Sequence, residues 1–281
     1  MSLVSVIIPV YKLLDSQNIT NFEELILSVQ KAKETAKLSL EIVIINDYPA
    51  EDISQLIDEI GLKYTLKNEL RLIQNSENLS QAQSRNIGAK IATGTYLHFI
   101  DQDDFISENF YSELLRNPVD LAIANVYLYQ QSSGNLIEYF KQNTVKRYEN
   151  ALKISQLQYF LMSGITPSPG QYLIKKSVFD AQNGFPILKN KGADDYGFLF
   201  NLSSQVVSVS FSKLATYTHR LHATQGKKTL NLEDSLQEFF KYSVIGKPNK
   251  TLKVIKIIKQ NSLLNYVLTR AFHVFHYRKG V

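Results

Sequence analysis

The sequence contains no cysteine, which excludes disulfide bonds, thiolate zinc sites and cysteine nucleophiles. It has no uncharged apolar run of about 18 residues, so we expect no membrane-spanning helix. Its first residues lack a basic stretch followed by an apolar run, so we expect no secretory signal. The 281 residues, of which 44% are hydrophobic and 20% charged, are typical of a globular chain with one substantial core.

Acidic residues are absent from the last part of the chain. Residues 241–281 carry nine Lys or Arg side chains and no Asp or Glu, whereas residues 1–240 have a net charge of −4. The overall charge of +5 therefore reflects a basic tail on a mildly acidic body. Such a distribution does not indicate a nucleic-acid-binding surface, and we expect no nucleic-acid partner.

The first hundred residues alternate between apolar strands and amphipathic helices. Fully apolar strands indicate burial on both faces, and the alternation predicts an α/β fold with a mostly parallel sheet flanked by helices. We expect Pro9 to end the first strand, Thr20 or Asn21 to cap the first helix and Gly61 to end the second. The predicted strands are 3–8, 41–45, 70–74 and 95–100, and the predicted helices are 20–37, 53–61 and 80–92.

The second half is less regular. A strand over 119–129 turns through Ser132-Ser133-Gly134-Asn135 into a second strand over 136–140. Further on, we predict helices at 150–163 and 194–203, strands at 171–175 and 205–211, and a linker at 246–249. These patterns predict one domain over 1–240, with halves 1–117 and 118–240, followed by a basic amphipathic helical tail over 241–281.

Polar residues follow the predicted strands at the sheet edge where ligands bind in such folds. They are Pro9-Val10-Tyr11, Asn46-Asp47 and Asp101-Gln102-Asp103-Asp104. The three carboxylates of the last group repel one another unless a cation, a ligand or solvent relieves them. Hard carboxylate oxygens suit Mg²⁺ or Mn²⁺, but a solvated turn or a helix N-terminus explains the same cluster. The two interpretations stay open at this point.

An ordered series of motifs resembles the family 2 inverting glycosyltransferases, which have the GT-A nucleotide-sugar fold. The resemblance covers roughly residues 3–225, in the order typical of that family. The motifs are Val4–Tyr11, Glu77-Asn78, Arg85-Asn86-Ile87-Gly88, Ala92 with Gly94 and Tyr96, Asp101-Gln102-Asp103-Asp104, Gly184-Phe185, Asp194-Asp195-Tyr196 and Arg220-Leu221-His222. Several motifs in the expected order are far more specific than one.

The resemblance implies a donor site for a UDP-sugar. Tyr11 and the backbone at Pro9 and Val10 would hold the uracil base, and Asp47 would accept a hydrogen bond from it. Asn46 stands where the family usually has Asp. Arg85 would lie near the donor diphosphate or tether a loop, and these two roles stay open.

The resemblance also implies a metal and a catalytic base. Asp101, Gln102 and Asp103 would contact the donor. Mn²⁺ or Mg²⁺ would be held by Asp103 with Asp101, Asp104 and His222. Asp195, with Asp194 as second choice, would take the proton of the acceptor hydroxyl as the anomeric carbon is attacked. Leu79 and Ser80 replace glycines that are frequent in the family.

We therefore expect a metal-dependent inverting glycosyltransferase that builds a surface polysaccharide or glycoprotein glycan on a glycan, glycolipid or glycoprotein acceptor. A nucleotidyltransferase is disfavoured because residues 9–15 lack a glycine-rich basic phosphate loop. A noncatalytic subunit that binds nucleotide-sugar or glycan stays an alternative, given Asn46 and Leu79-Ser80.

The basic tail has two interpretations. Its helical pattern over 250–279 fits peripheral contact with an anionic membrane, or packing on the main domain or in a dimer. The lack of cysteine fits a reducing compartment, so we expect a cytoplasmic protein, with contact to the inner face of the plasma membrane as an option.

Overall fold

The structure, a computed structural model, describes residues 3–138, 168–189, 194–203, 205, 207–221 and 238. The described strands are β1 Val4–Val10, β2 Leu40–Asn46, β3 Leu70–Gln74, β4 Tyr96–Phe99, β5 Phe105–Ile106, β6 Leu121–Gln130, β7 Asn135–Glu138, β8 Tyr172–Lys175 and β9 Val209–Leu221. The described helices are α1 Ser16–Ala36, α2 Ser54–Lys63, α3 Gln81–Ile91, α4 Phe110–Leu114, α5 Lys176–Ala181 and α6 Asp194–Leu202.

The described strands form one mixed sheet in the order β3-β2-β1-β4-β8-β6-β9-β5, with β7 paired to β6. The first four strands in this order are parallel to one another. Strand β8 runs antiparallel to its neighbours β4 and β6, while β9 is parallel to β6 and antiparallel to β5. The prediction of a mixed, mostly parallel sheet flanked by helices is confirmed.

Each central strand packs its two faces into two separate cores. In β1, Val6 and Ile8 pack with Phe22 and Leu25 of α1, whereas Ile7 packs on the opposite side with residues of α3 and α6. Successive side chains of a strand point to opposite faces, so a strand between two helical layers is apolar at most positions. This explains the continuous apolar runs in the sequence.

The expectation that Pro9 ends the first strand is wrong, because β1 continues to Val10. Pro9 still pairs in register with Ile45 of β2. The carbonyl of Ile7 accepts from Ile100 on the β4 side, so the missing N–H of Pro9 also points to that side, past the last β1–β4 pair. A proline is tolerated there because no ladder bond is lost.

Other predicted boundaries also need correction. Helix α1 begins at Ser16 instead of at Thr20 or Asn21, and Asn21 is buried within it. Gly61 lies inside α2, where a side chain would crowd Leu70. Strand β9 extends over 13 residues to Leu221, well beyond the predicted end at 211. Its register against β6 shifts between Ser212 and Thr216, where Lys213-Leu214-Ala215 interrupts the alternation of polar and apolar residues.

Several predictions lie outside the described residues. They are the helix at 150–163, the linker at 246–249, the tail over 241–281 and the end of the 136–140 strand, whose described part is β7. The domain division and both interpretations of the tail stay predictions. Among the helices that the structure describes, none combines the length and the apolarity needed to cross a membrane.

Candidate active site

The polar residues predicted to share one sheet edge do so. The N–H of Asp47 donates to the carbonyl of Val10 at 2.9 Å, and the N–H of Asn75 donates to the carbonyl of Asn46 at 3.0 Å. The ends of β1, β2 and β3 are therefore joined side by side. Tyr11 is joined in turn to Gln102, after β4, by two hydrogen bonds. This edge is the candidate active site.

Asn46 is fully buried, and its side-chain amide is used inside the protein. Its Nδ2 donates to the carbonyl of Glu51 and to Oε1 of Gln74, both at 2.9 Å, while its Oδ1 accepts from the N–H of Tyr48 at 3.0 Å. An aspartate could not make the two donations. The amide therefore shapes the turn after β2, and direct contact of Asn46 with a donor stays a prediction.

Asp47 is buried and anchors the loop that leads into α3. Its Oδ1 accepts from Nδ2 of Asn75 at 2.8 Å and from the N–H of Leu79 at 2.9 Å, and its Oδ2 accepts from the N–H of Ser80 at 3.2 Å. A carboxylate offers about four acceptor positions. One position on Oδ2 therefore remains for the N–H of a ligand.

Ser80 lies in the turn before α3, at a position where the family often has glycine. Its φ of 146° lies in a region that side chains disfavour, and its Oγ accepts from the N–H of Gln83 at 3.3 Å at the start of α3. The backbone path therefore follows the glycine conformation despite the side chain. The capping bond offsets part of the strain.

Tyr11 presents an aromatic surface at the edge. Its side chain is 44% exposed, and its ring packs edge-on against Tyr48 at a centroid distance of 5.0 Å. The Nζ of Lys12 lies 5.8 Å and 5.6 Å from the centroids of these two rings. An exposed, supported ring of this kind is suited to stack against a planar base.

Arg85 joins the two acidic motifs of the sequence. From α3, its buried guanidinium donates to Oδ1 of Asp101 at 2.6 Å and to Oδ1 of Asp195 at 2.9 Å. Oδ2 of Asp194 lies 3.6 Å from the same guanidinium. Asp195, at the start of α6, is thereby held beside the loop after β4. Of the two roles predicted for Arg85, the tether is therefore present in the structure.

The neighbouring Asn86 holds the other side of this junction. Its side chain donates to the carbonyl of Phe185 at 2.9 Å and accepts from the N–H of Phe185 at 2.9 Å. Gly184 adopts a φ of 75°, and a side chain there would collide with Asn86. The Phe185 ring packs 5.6 Å from the Arg85 guanidinium. The Arg85-Asn86 and Gly184-Phe185 motifs therefore pack directly against each other.

Protonation equilibria in this cluster are strongly shifted. Desolvation raises the pKa of Asp195 well above its ordinary value, the charge of Arg85 opposes this shift, and Asp194 and Asp101 add to it. Desolvation also raises the pKa of Tyr172, whose buried hydroxyl has no hydrogen-bond partner among the described residues. A general base must be ionised before it can accept a proton, and the ion pair with Arg85 favours that form of Asp195.

Asp104 has a different environment from Asp101. It is fully buried; its Oδ1 accepts from the N–H of Arg220 at 2.8 Å, and its Oδ2 accepts from the Tyr217 hydroxyl and contacts His219 at 3.2 Å. Burial raises the pKa of Asp104 to about 6. Desolvation opposes the charge on His219, but its bond to Asp104 raises the pKa of His219 to about 9. The two form an ion pair at neutral pH.

Arg220 fixes the backbone of the acidic loop. Its Nε donates to the carbonyl of Asp103 at 2.7 Å. Its guanidinium lies 5.3 Å from the ring centroids of both Phe105 and Tyr129, which pack edge-on against each other at 6.0 Å, and it pairs with Glu24. Cation–π contacts with two rings and charge-assisted bonds hold the loop firmly.

The carboxylate oxygens at the acidic loop fit the ligand preference of a hard cation only in part. Within the described stretches of the chain, no three carboxylate or imidazole groups converge into a metal site. Mg²⁺ is commonly bound by one or two carboxylates, with waters and substrate phosphates as the other ligands. Asp101 and Asp103 fit this pattern. Asp104 does not, because its oxygens already bind Arg220, Tyr217 and His219, and His222 lies outside the described residues.

The repulsion within the acidic cluster is relieved by protein cations. Arg85 pairs with Asp101, and His219 pairs with Asp104. A merely solvated turn would have no such fixed partners. These ion pairs make the acidic cluster part of the folded structure, and it is not merely a solvated turn.

Some residues at the site were missed by sequence analysis. Asn75 follows β3, so the strand-end rule could have identified it. Tyr48 could have been identified as an aromatic side chain after β2. Gln81 donates to Oδ1 of Asp101 at 2.6 Å, and Tyr172 belongs to the antiparallel strand β8; neither had a signal in the sequence.

Comparison with known proteins agrees with this geometry. Residues 5–179 match the model of the glycosyl transferase family 2. The chain is 25% identical over 141 residues to the glycosyltransferase GlyG of Streptococcus pneumoniae, and 24% identical over 189 residues to EpsH of Bacillus subtilis. These matches cover 49% and 66% of this chain, and 43% and 53% of the relatives. The chain thus spans about half the length of these relatives.

Two crystal structures share the fold. One is residues 1–349 of S. aureus TarS in complex with UDP-GlcNAc, with a TM-score of 0.61, 18% identity and coverage of 98% of this chain and 75% of that one. The other is GalNAc-T7 with UDP, GalNAc and Mn²⁺, with a TM-score of 0.58, 16% identity and coverage of 79% and 44%.

A mostly parallel sheet with acidic residues gathered at its carboxyl edge agrees with the GT-A fold of these structures. The match over more than half of its length shows that this chain belongs to glycosyl transferase family 2. The resemblance read from the motifs is confirmed.

Proposed function

We propose that the chain is a metal-dependent inverting glycosyltransferase that moves a sugar from a UDP-sugar to an acceptor hydroxyl during glycan synthesis. The observation that carries the proposal is the pair of bonds from Arg85 to Asp101 and Asp195. They hold an acceptor-side carboxylate next to the donor loop. Transfer requires these two regions to face the same anomeric carbon.

The edge residues support a uracil nucleotide as donor. Tyr11 offers an exposed ring supported by Tyr48, and Asp47 retains one acceptor position. Because an ionised carboxylate only accepts hydrogen bonds, the base must present an N–H, as uracil does. The similar fold of TarS was crystallised with UDP-GlcNAc, which supports a UDP-sugar in this role.

Asp195 is proposed as the general base. Its raised pKa favours uptake of the proton that the acceptor hydroxyl releases on attack. Arg85 orients its carboxylate, and Asp194 adds negative charge nearby. Held by Asp101 and Asp103, with His222 as a further ligand, Mn²⁺ or Mg²⁺ would stabilise the charge on the leaving diphosphate.

The test is a screen of UDP-sugars with MnCl₂, reading released UDP and the thermal shift of the protein together. We expect at least one UDP-sugar to be consumed and to stabilise the protein. Absence of both signals with every UDP-sugar would refute the proposed donor class.

Asp195→Asn separates catalysis from binding. We expect turnover to fall at least about 100-fold, as general-base contributions of this size are typical, while the thermal shift by UDP is retained. Asp194→Asn is the matched control, with the same charge change one residue earlier, and we expect it to retain more activity. Wild-type turnover in Asp195→Asn would remove Asp195 from the mechanism.

The alternative of a noncatalytic subunit depended on Asn46 and on Leu79-Ser80. The amide of Asn46 makes donations that an aspartate could not, and Ser80 keeps the glycine-like backbone. Both departures therefore have a structural explanation, and neither favours a loss of catalysis.

A further inference from the structure

Gln102, between two acidic residues of the loop after β4, binds the backbone of Tyr11 at two points. Its Oε1 accepts from the N–H of Tyr11 at 2.7 Å, and its Nε2 donates to the carbonyl of Tyr11 at 3.2 Å. The two residues are 91 positions apart in the sequence. The side-chain amide thus pairs with Tyr11 much as a neighbouring strand would.

Tyr11 needs such a partner because it lies just beyond the sheet. The pairing of β1 with β2 ends at Val10, opposite Asn46. The next residue, Lys12, turns the chain away with a φ of 52°. The N–H and the carbonyl of Tyr11 therefore lie beyond the hydrogen-bonded pairing of β1 with β2. The side chain of Gln102 bonds to both of them.

The residue type matters for this contact. A glutamine side chain carries both a donor and an acceptor on a stem long enough to cross between the loops. A serine would be two atoms shorter and would have a single hydroxyl, so it could not bond both groups at once. The contact therefore depends on glutamine at this position.

We propose that Gln102 is a positioning residue that couples the acidic loop to the aromatic base platform formed by Tyr11 and Tyr48. The inference rests on the proposed function, because it takes Asp101 and Asp103 as metal and donor contacts. A shift of Asp101 or Asp103 on contact with a cation would be passed to Gln102 between them, and Gln102 in turn holds the backbone that carries the Tyr11 ring. Metal binding and base binding therefore assist each other, and the assistance is reciprocal.

The test measures equilibrium binding of uridine, and of UDP with and without MnCl₂, by calorimetry. The main variant is Gln102→Met, which keeps the length and neutrality of the side chain but removes both hydrogen bonds. Gln102→Ser is a second variant, which shortens the side chain by two atoms. Gln55→Met is the matched control, because Gln55 is an exposed glutamine on α2 that bonds to Glu59 on the same helix.

We expect Gln102→Met and Gln102→Ser each to weaken uridine binding roughly fivefold, as loss of the platform's backbone support predicts. The factor by which MnCl₂ strengthens UDP binding should fall by a similar amount. In turnover assays KM for the UDP-sugar should rise while kcat changes little. Gln55→Met should match the wild type throughout, and melting temperatures within a few degrees of the wild type would show that the variants fold.

The possible failures are distinguishable. If the wild-type protein binds neither UDP nor uridine, the proposed function fails and this inference fails with it. If the wild type binds both and the folded Gln102 variants bind them equally well, with the same gain from MnCl₂, the coupling role of Gln102 is refuted while the proposed function stands.

Discussion

His98 allows a quantitative prediction of acid sensitivity. It is fully buried in β4, with Nδ1 3.0 Å from the Tyr111 hydroxyl and Nε2 3.0 Å from the carbonyl of Gly170. A carbonyl only accepts, so Nε2 carries the proton and Nδ1 accepts from Tyr111. The neutral ring satisfies both partners. A second proton on Nδ1 would face the tyrosine oxygen and break this arrangement.

The magnitude follows from the shift in pKa. Desolvation lowers the pKa of His98 from 6.5 to about 4. As the pH falls below 6.5, His98 binds a proton in the unfolded chain but not in the folded protein. The free energy of unfolding therefore declines until about pH 4. At about 1.36 kcal/mol per pKa unit, this decline amounts to about 3 kcal/mol. Full burial means that solvent screening does not reduce the value.

The assay is urea unfolding followed by circular dichroism, since the chain has no tryptophan. The wild type is compared with His98→Gln, which keeps an amide donor for Gly170 but does not titrate. We expect the variant to be less stable at pH 7.5, and the difference to shift in its favour by about 3 kcal/mol by pH 4. Acidic groups common to both proteins cancel in this comparison. Parallel stability curves over this range would refute the reasoning.

Two further predictions concern the loops of the site. Ser80→Gly should raise the free energy of unfolding by about 1 kcal/mol, because relief of the φ strain exceeds the loss of the cap and the greater chain entropy; a variant less stable than the wild type in urea unfolding would contradict this. Arg220→Lys should lower the free energy of unfolding by about 2 kcal/mol, because a single ammonium cannot contact the Phe105 and Tyr129 rings, bond the carbonyl of Asp103 and pair with Glu24 at once; unchanged urea unfolding would show that these contacts are unimportant.

The sheet and its functional edge were largely predictable from the sequence. The runs at 3–8 and 41–45 are apolar except at Ser5 and Glu41, which hydrogen-bond each other, because α1 and α3 cover opposite faces, and this pattern identifies buried parallel strands. Since the carboxyl ends of such strands share one edge, Tyr11, Asp47 and Asp101 could be grouped before the structure was known.

The roles of individual carboxylates were not predictable. Asp101 and Asp104 are three positions apart, yet one meets Arg85 at the open edge and the other is enclosed by β9. Which environment each carboxylate takes depends on contacts across 16 and 116 positions, and no local pattern encodes them. The tether from Arg85 to Asp195 likewise spans 110 positions.

The position of β9 affects when the candidate active site forms during folding. It is the last described strand in the chain, yet it lies inside the sheet, between β6 and the short strand β5. Asp104 finds Tyr217 and Arg220 only when this strand has docked. Because distant pairings of this kind form slowly, the acidic loop should mature at a late stage of folding. During synthesis on the ribosome, most residues of the two hydrophobic cores would therefore be available before the acidic loop of the candidate active site could form.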